Sequence, residues 1–366
     1  MNPRDLANPH IRDLEPYRGG KPIAELEREL GIANGIKLAS NESPLGPSPR
    51  VVAAIEAAAR DLNRYPDGNC FYLRRELAAR LEVAPENLCF GCGSDELLGV
   101  LSKIFLGPGD EAVFAWPSFA MYPLYVRGMG ASPIEVPLDA DLATDVERLA
   151  EAVTPRTRLL FLANPNNPTG TSIGAADFRR LLEAVPERVV IVADEAYYEF
   201  ARRPDFPESL GCFEQRPSLI VLRSFSKAYG LAGLRIGYGV GHPEMIDLLD
   251  RARHPFNVSS VAEAAAREAL ADREYSGRIQ DLNRRGLLQL EQAFDALGLG
   301  YARSDTNFVL VKLGERAGEI HDRLLRAGVI TRRMDAFGLG DSLRVTVGLP
   351  EENERFLKAL GRELSR

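Results

Sequence analysis

Ser218-Leu-Ile-Val-Leu-Arg-Ser-Phe-Ser-Lys-Ala-Tyr-Gly-Leu-Ala-Gly-Leu-Arg-Ile-Gly-Tyr-Gly239 is the stretch on which the fold turns. Leu219 to Leu222 is an unbroken apolar run, which reads as a buried strand. It hands over at Ser224 to a segment in which Ser226 and Lys227 stand beside Ala228, Tyr229 and Gly230. A lysine among such neighbours is not placed as a solvated surface charge. Desolvation lowers a lysine's pKa and frees its amine as a nucleophile. Arg235 follows, just ahead of a second apolar strand from Ile236 to Val240. Hydroxyls plus arginine make an anion site, and the planar fork of the guanidinium suits phosphate. One short stretch therefore offers a nucleophilic amine beside a phosphate cradle. The competing reading is a structural lysine paired with a carboxylate between two strands, and the rest of the chain has to decide.

Upstream, strands are predicted over Asn87–Phe90, Glu111–Ala115, Ser132–Leu138, Leu159–Ala163 and Val189–Ala193. Helices are predicted between several of them, over Glu96–Phe105, Pro117–Gly130, Asp145–Ala152 and Ala175–Ala184. Several strands are apolar throughout, as in a mainly parallel sheet covered on both faces, so the class is α/β. In such sheets ligands gather at the carboxyl ends of the strands. Asn167 lies there, in Ala163-Asn-Pro-Asn-Asn-Pro-Thr-Gly170, although asparagine and proline also make plain turns. Asp194 ends a hydrophobic strand, a costly place for a carboxylate without a partner. A protonated ring nitrogen would be such a partner, with Tyr197 close enough to reach a phenolic oxygen on the same ring; a helix cap or an ion pair is the alternative. Phe119, in Trp116-Pro-Ser-Phe-Ala-Met-Tyr122, is placed to stack on a ring or simply to pack in the core. Gly91-Cys-Gly-Ser-Asp-Glu96 joins a strand to a helix, a geometry that aims free amides at an anion. Its glycines fit neither the dinucleotide fingerprint nor the P-loop. The plain alternative is a helix capped by Ser94 or Asp95.

The flanks differ in style. A helix over Ile23–Leu30 ends at Gly31, and Lys37 to Pro49 is a turn-rich loop holding Asn41 and Glu42. That loop reads as a segment crossing between two bodies, not as a strand. Helices follow over Val51–Leu62 and Cys70–Leu81. After Pro243 come long helices, then strands over Asn307–Leu313 and from Ser342 onward, and a last helix over Glu351–Leu364, an α+β pattern. Leu343, Val345 and Val347 share one strand face, so Arg344 points to the other, toward solvent or toward a cleft and an anionic substrate. Arg332 presents the same choice. The expected division is an N-terminal arm over 1–40, a large α/β domain over 41–245 and a smaller α+β domain over 246–366.

The chain has 366 residues, 45% of them hydrophobic, which suits two domains rather than one. A net charge of -7 and the lack of any basic run argue against nucleic acid. Cys70, Cys89, Cys92 and Cys212 are too few for a disulfide framework, and no second pair or nearby histidine turns Cys89 and Cys92 into a zinc site. That pair reads as two small buried residues beside a strand, with a redox pair as the alternative. No run approaches the ~18 apolar residues of a membrane helix, and Pro3, Arg4 and Asp5 do not open a signal peptide. A soluble cytoplasmic protein is expected.

Taken together, Asn166-Asn-Pro-Thr-Gly170, Asp194-Glu-Ala-Tyr197, Ser224-Phe-Ser-Lys227 with Arg235, and Ser342-Leu-Arg-Val-Thr-Val-Gly348 resemble the fold-type I pyridoxal-phosphate aminotransferases over nearly the whole chain. Within that fold the chain is similar to the histidinol-phosphate aminotransferase family. The residues carrying this are Leu14-Glu-Pro-Tyr17, Leu38-Ala-Ser-Asn-Glu-Ser-Pro-Leu-Gly-Pro-Ser-Pro49, Arg64-Tyr-Pro-Asp67 and Gly93-Ser-Asp-Glu-Leu97. The resemblance implies a large domain with a seven-stranded type of sheet, pyridoxal 5'-phosphate as cofactor, and Lys227 as its Schiff-base lysine. It implies Gly93, Ser94, Asp95, Ser224, Ser226 and Arg235 around the phosphate, and Asn167, Asp194 and Tyr197 around the ring. Phe119 stands where tyrosine is common, which keeps stacking and loses a phenol. Tyr65 matches a residue that reaches the neighbouring subunit's cofactor, implying a homodimer with shared sites. Tyr17, Asn41, Arg332 and Arg344 match substrate contacts. The implied reaction is amino transfer between histidinol phosphate and 2-oxoglutarate; an aromatic amino-acid aminotransferase and a threonine-phosphate decarboxylase are the alternatives.

Overall fold

The computed structural model describes residues 1–17 and 19–365. Its centre is a seven-stranded sheet whose order is Leu88–Gly91, Gly237–Gly241, Leu219–Ser224, Val190–Asp194, Thr157–Ala163, Glu111–Trp116, Ser132–Pro137. All neighbours from Leu219–Ser224 to Ser132–Pro137 pair parallel. Gly237–Gly241 alone runs against both of its neighbours. Val190–Asp194 and Leu219–Ser224 are buried from end to end, and Thr157–Ala163 is buried from Leu159 to Leu162, as their apolar runs require. Alternate residues feed opposite faces. Val190, Val192, Ile220 and Leu222 pack with residues of the Ser94–Phe105 and Pro243–Ala252 helices, while Ile191, Ala193, Leu219 and Val221 pack with residues of the Val146–Glu151 and Ala175–Ala184 helices.

A second sheet of four strands, in the order Arg332–Arg333, Ser342–Thr346, Phe308–Lys312, Tyr301–Ala302, is antiparallel throughout. Leu343, Val345 and Val347 face a core shared with Leu287, Leu290 and Phe294 of the long Arg273–Ala296 helix and with Phe356 of the last helix, Pro350–Leu364. The N-terminal segment ties into this body: Ile36–Lys37 pairs parallel with Val329–Ile330, and Leu38 is buried in the same core. That short pairing corrects the reading of the segment as free of strand from Lys37 onward. Two residues of ladder fall below any sequence pattern.

Helix boundaries shift where caps decide them. The predicted Pro117–Gly130 helix covers only Met121–Gly128. The helix expected from Glu96 begins at Ser94, with Gly93 as its cap at φ 78° and no side-chain cap bond, so neither Ser94 nor Asp95 is the cap. Cys89 is buried as expected, but Cys92 is exposed, because the strand ends at Gly91 and the chain turns outward before the helix. Among the described residues no helix is long and apolar enough to cross a membrane.

Candidate active site

Three strand ends converge on one edge of the central sheet. Thr157–Ala163 leads into the loop carrying Asn167, Val190–Asp194 delivers Asp194, and Leu219–Ser224 delivers Ser224 and then Lys227. They open on a cleft of about 280 Å³ between the two sheets, and the second sheet contributes Arg332 and Arg344 to its wall. Of the sixteen residues singled out from the sequence, the cleft gathers all but Tyr65.

Lys227 stands at the centre. Its Nζ donates to the carbonyl of Asn41 at 3.1 Å and lies 5.6 Å from the centre of the Tyr197 ring. Desolvation, seconded by the positive charge of Arg344, pulls its pKa down to about 8. Asn41 closes the arrangement from the crossing segment: its amide donates to Tyr197 Oη at 2.9 Å, and its Oδ1 accepts from Thr346 Oγ1 at 3.1 Å. Asn41 holds this position at φ 55°, a left-handed conformation that asparagine tolerates better than most residues.

Asp194 is 7% exposed. Burial pushes its pKa up to about 6, against the pull of a hydrogen bond from Tyr122 Oη at 2.8 Å and one from the Ala196 amide at 3.3 Å. Hydrogen-bond donors meet its carboxylate directly, and Lys227 in the same cleft feels its charge. Tyr122 is itself fully buried and stacks on Phe161, with centroids 4.8 Å apart. Sequence reasoning passed over it in favour of Phe119, although three residues apart in a predicted helix the two would share a face. That spacing was the available signal.

An anion cradle lies on the other side of Lys227. The amide of Ser226 donates to Ser224 Oγ at 3.0 Å, which fixes the turn, and the guanidinium of Arg235 reaches toward Gly93. A Cβ at Gly93 would stand 2.8 Å from Arg235 Nη2, and one at Gly237 would stand 2.3 Å from the Ser94 amide. Both glycines are therefore needed for the backbone amides at the Ser94–Phe105 helix N-terminus and the guanidinium to share one concavity. Asp95 adds a carboxyl whose pKa burial raises and whose Oδ1 has no partner.

At the far end, Arg344 is 7% exposed, donates to Asn167 Oδ1 and, at 2.9 Å, to the Ala39 carbonyl, and keeps its Nε buried without a partner. Burial and the nearby Arg332 lower its pKa to about 10, which still leaves it charged at neutral pH. Of the two directions open to it from the sequence, Arg344 takes the cleft. Phe119 stands edge-on to Tyr122 on one wall, and Tyr17 and Glu42 stand on the rim. Tyr65 is the exception: it is 83% exposed and stacks on Phe256 with centroids 4.8 Å apart, outside the cleft of its own chain.

One cleft thus holds a depressed-pKa amine, a buried carboxylate and a cradle of hydroxyls, backbone amides and a guanidinium, with the buried Arg344 as a second cationic group. Comparison with known proteins fits it. The profile of aminotransferase class I and II matches residues 33–360. The chain is 47% identical to histidinol-phosphate aminotransferase 2 of Pseudomonas aeruginosa, over 98% of each chain. It is 45% identical to histidinol-phosphate aminotransferase 1 of Nitrosococcus oceani, over 97% of this chain and 96% of the relative. Among solved structures, that of histidinol-phosphate aminotransferase from Sinorhizobium meliloti in complex with pyridoxal-5'-phosphate superposes with a TM-score of 0.91 at 33% identity, covering 98% of this chain and 97% of the other. The chain belongs to the aminotransferase class I and II family and, within it, to the histidinol-phosphate aminotransferases.

Proposed function

We propose that this chain is a pyridoxal-phosphate-dependent transaminase that moves the amino group of histidinol phosphate to 2-oxoglutarate, giving imidazole acetol phosphate and glutamate, as a homodimer in the cytoplasm. The observation that carries this is the gathering of Lys227, Asp194, the Ser224–Ser226–Arg235 cradle and Arg344 around one cleft. Pyridoxal phosphate fits the residues present. The concavity that the two glycines keep open would take its phosphate, and the buried Asp194 carboxylate would face its ring nitrogen as a counter-charge.

When bound, the cofactor supplies an electron sink for the charge left at the substrate's Cα. The protein does the rest. Lys227 would move a proton between the substrate's Cα and the cofactor, a task suited to an amine whose pKa is brought near the working pH. Asp194 would hold the proton at the ring nitrogen. Tyr197 and Asn167 would serve the ring's oxygen, and Phe119 would cover the ring. Gly93, Ser94, Asp95, Ser224, Ser226 and Arg235 would hold the phosphate. Tyr17, Asn41, Arg332 and Arg344 take the substrate, and the two arginines serve the phosphate of one substrate and a carboxylate of the other, since a guanidinium pairs with both.

The test is substrate discrimination. Histidinol phosphate should exceed histidinol in kcat/KM by about 10²-fold or more, because charge-assisted hydrogen bonds are worth ~1.5–3 kcal/mol each and each ~1.4 kcal/mol is tenfold. Arg344→Ala should damage both half-reactions. If phenylalanine is used more efficiently than histidinol phosphate, the substrate assignment falls while the chemistry stands.

The exposed position of Tyr65 supports the shared site, since it cannot serve the cofactor held by its own chain from there. Tyr65→Ala should weaken cofactor binding. Mixing Tyr65→Ala with Lys227→Ala protein should restore about a quarter of the parent's activity, because half the dimers are mixed and each holds one intact site. Proven subunit exchange without recovery would show that Tyr65 acts elsewhere.

A further inference from the structure

One charged pair inside the large domain takes no part in the cleft. Glu195 and Arg223 are 1% and 4% exposed, and neither lines the cleft, although each is the immediate neighbour of a residue that does. Arg223 grips Glu195 Oε2 through Nε at 2.9 Å and Nη2 at 2.8 Å. Ser209 Oγ donates to the other carboxylate oxygen, and the Tyr198 ring lies under the guanidinium, 3.4 Å from centroid to Cζ. We propose that this pair is a positioning device: it sets the separation between Asp194 and the Ser224–Ser226 cradle, and so the length of ligand the cleft accepts. This rests on the cofactor reading above.

The argument is one of strand geometry. Successive side chains of a strand point to opposite faces. Val190 and Val192 share a face with Asp194, and Ile191 and Ala193 share the other with Glu195. Ile220 and Leu222 lead to Ser224 on the first face, and Leu219 and Val221 lead to Arg223 on the second. Asp194 pairs in register with Leu222, and the Glu195 amide bonds the Leu222 carbonyl at 2.8 Å. Beyond that point the ladder between these two strands ends, and Arg223 and Ser224 are paired only on their other side, with Tyr238 and Gly237. The ion pair bridges the two strands at that place, on the back of the sheet, while their front-facing neighbours Asp194 and Ser224 address opposite ends of one ligand. A buried pair of charges adds little net stability over apolar residues of the same size. What it adds over them is a fixed geometry, because two donors of one planar guanidinium converge on a single carboxylate oxygen while Ser209 holds the other.

The test compares ligands that use one end of the cleft or both. In the full chain freed of cofactor, Glu195→Met combined with Arg223→Met removes both charges of the pair together, although the buried Glu199 also loses the Arg223 charge that acts on it. The double variant's affinity for pyridoxal phosphate should fall about tenfold or more, since small displacements at a site that must match two groups at once are costly. Its affinity for pyridoxal, which lacks the phosphate, and for inorganic phosphate should stay within about twofold of the parent, because each engages one end alone. Glu195→Gln keeps the shape and an acceptor for Arg223, and it should show the same selective loss to a smaller degree; it decides the matter if the double variant does not fold. Equal loss for all three ligands, or unchanged pyridoxal phosphate affinity in a folded variant, overturns the proposal. A parent protein that does not bind pyridoxal phosphate overturns the cofactor reading itself, and this one with it.

Discussion

Replacing Lys227 with Ala should abolish the yellow colour of the purified protein and lower turnover by roughly 10⁴-fold or more, the upper range for a lost general base, with loss of the covalent tether added to it. Borohydride treatment of the parent should fix the cofactor to the peptide containing Lys227. A trapped peptide with any other lysine would remove the basis of the site. The pH dependence sharpens the test. Only the neutral amine attacks an aldehyde, and in the cofactor-free protein burial holds the Lys227 pKa near about 8. The rate of cofactor capture should therefore rise with pH up to about 8 and level off above it. A solvated lysine, with an ordinary value near ~10.4, would keep gaining rate for about two further pH units. A capture rate still climbing steeply at pH 9.5 would show that the environment does not act on Lys227 as its burial requires.

The legible part of this molecule is the part whose sequence signal is local. The Leu219–Ser224 strand announced itself as an apolar run, and the change to Ser224, Ser226 and Lys227 marked its carboxyl end, where the fold places ligands. Asp194 was visible because a carboxylate at the end of a buried strand needs an explanation. Asn41 was less so. Its backbone carbonyl, not its side chain, takes the Lys227 amine, and its bonds to Tyr197 and Thr346 span sequence separations of 156 and 305 residues. No periodicity carries such information. Tyr122 and the Glu195–Arg223 pair were missed for another reason. Each sits beside a residue with a louder signal, and only the direction of its side chain, fixed by the folded strands and helix, gives it a partner. Cys92 shows the converse: the two-residue gap in Cys89-Phe-Gly-Cys92 suggested a buried pair, but the strand ends between them.

Asp194→Asn tests the carboxylate with the least disturbance, since the amide keeps the shape and an oxygen that can accept from Tyr122. Its effects should have opposite signs on stability and on rate. In the cofactor-free protein the Asp194 pKa is raised to about 6, above the unfolded value of ~3.9, so the charged form opposes folding. The penalty is absent below about pH 4, grows as pH rises through 4 to 6, and is complete above that. At pH 7.5 it is on the order of 2–3 kcal/mol. The cofactor-free Asn variant should therefore be more stable than the parent at pH 7.5, with the gap closing toward pH 4, as read from denaturant midpoints. In the loaded enzyme the same change removes the charge that holds the proton at the ring nitrogen. Breaking one side of a buried ion pair costs about 3–5 kcal/mol, which is two to four decades in kcat. A carboxylate kept at a cost to the empty protein and needed by the loaded one is a functional group. One whose loss changed stability but left turnover near normal would be structural, and Asp194 would then have to be withdrawn from the site.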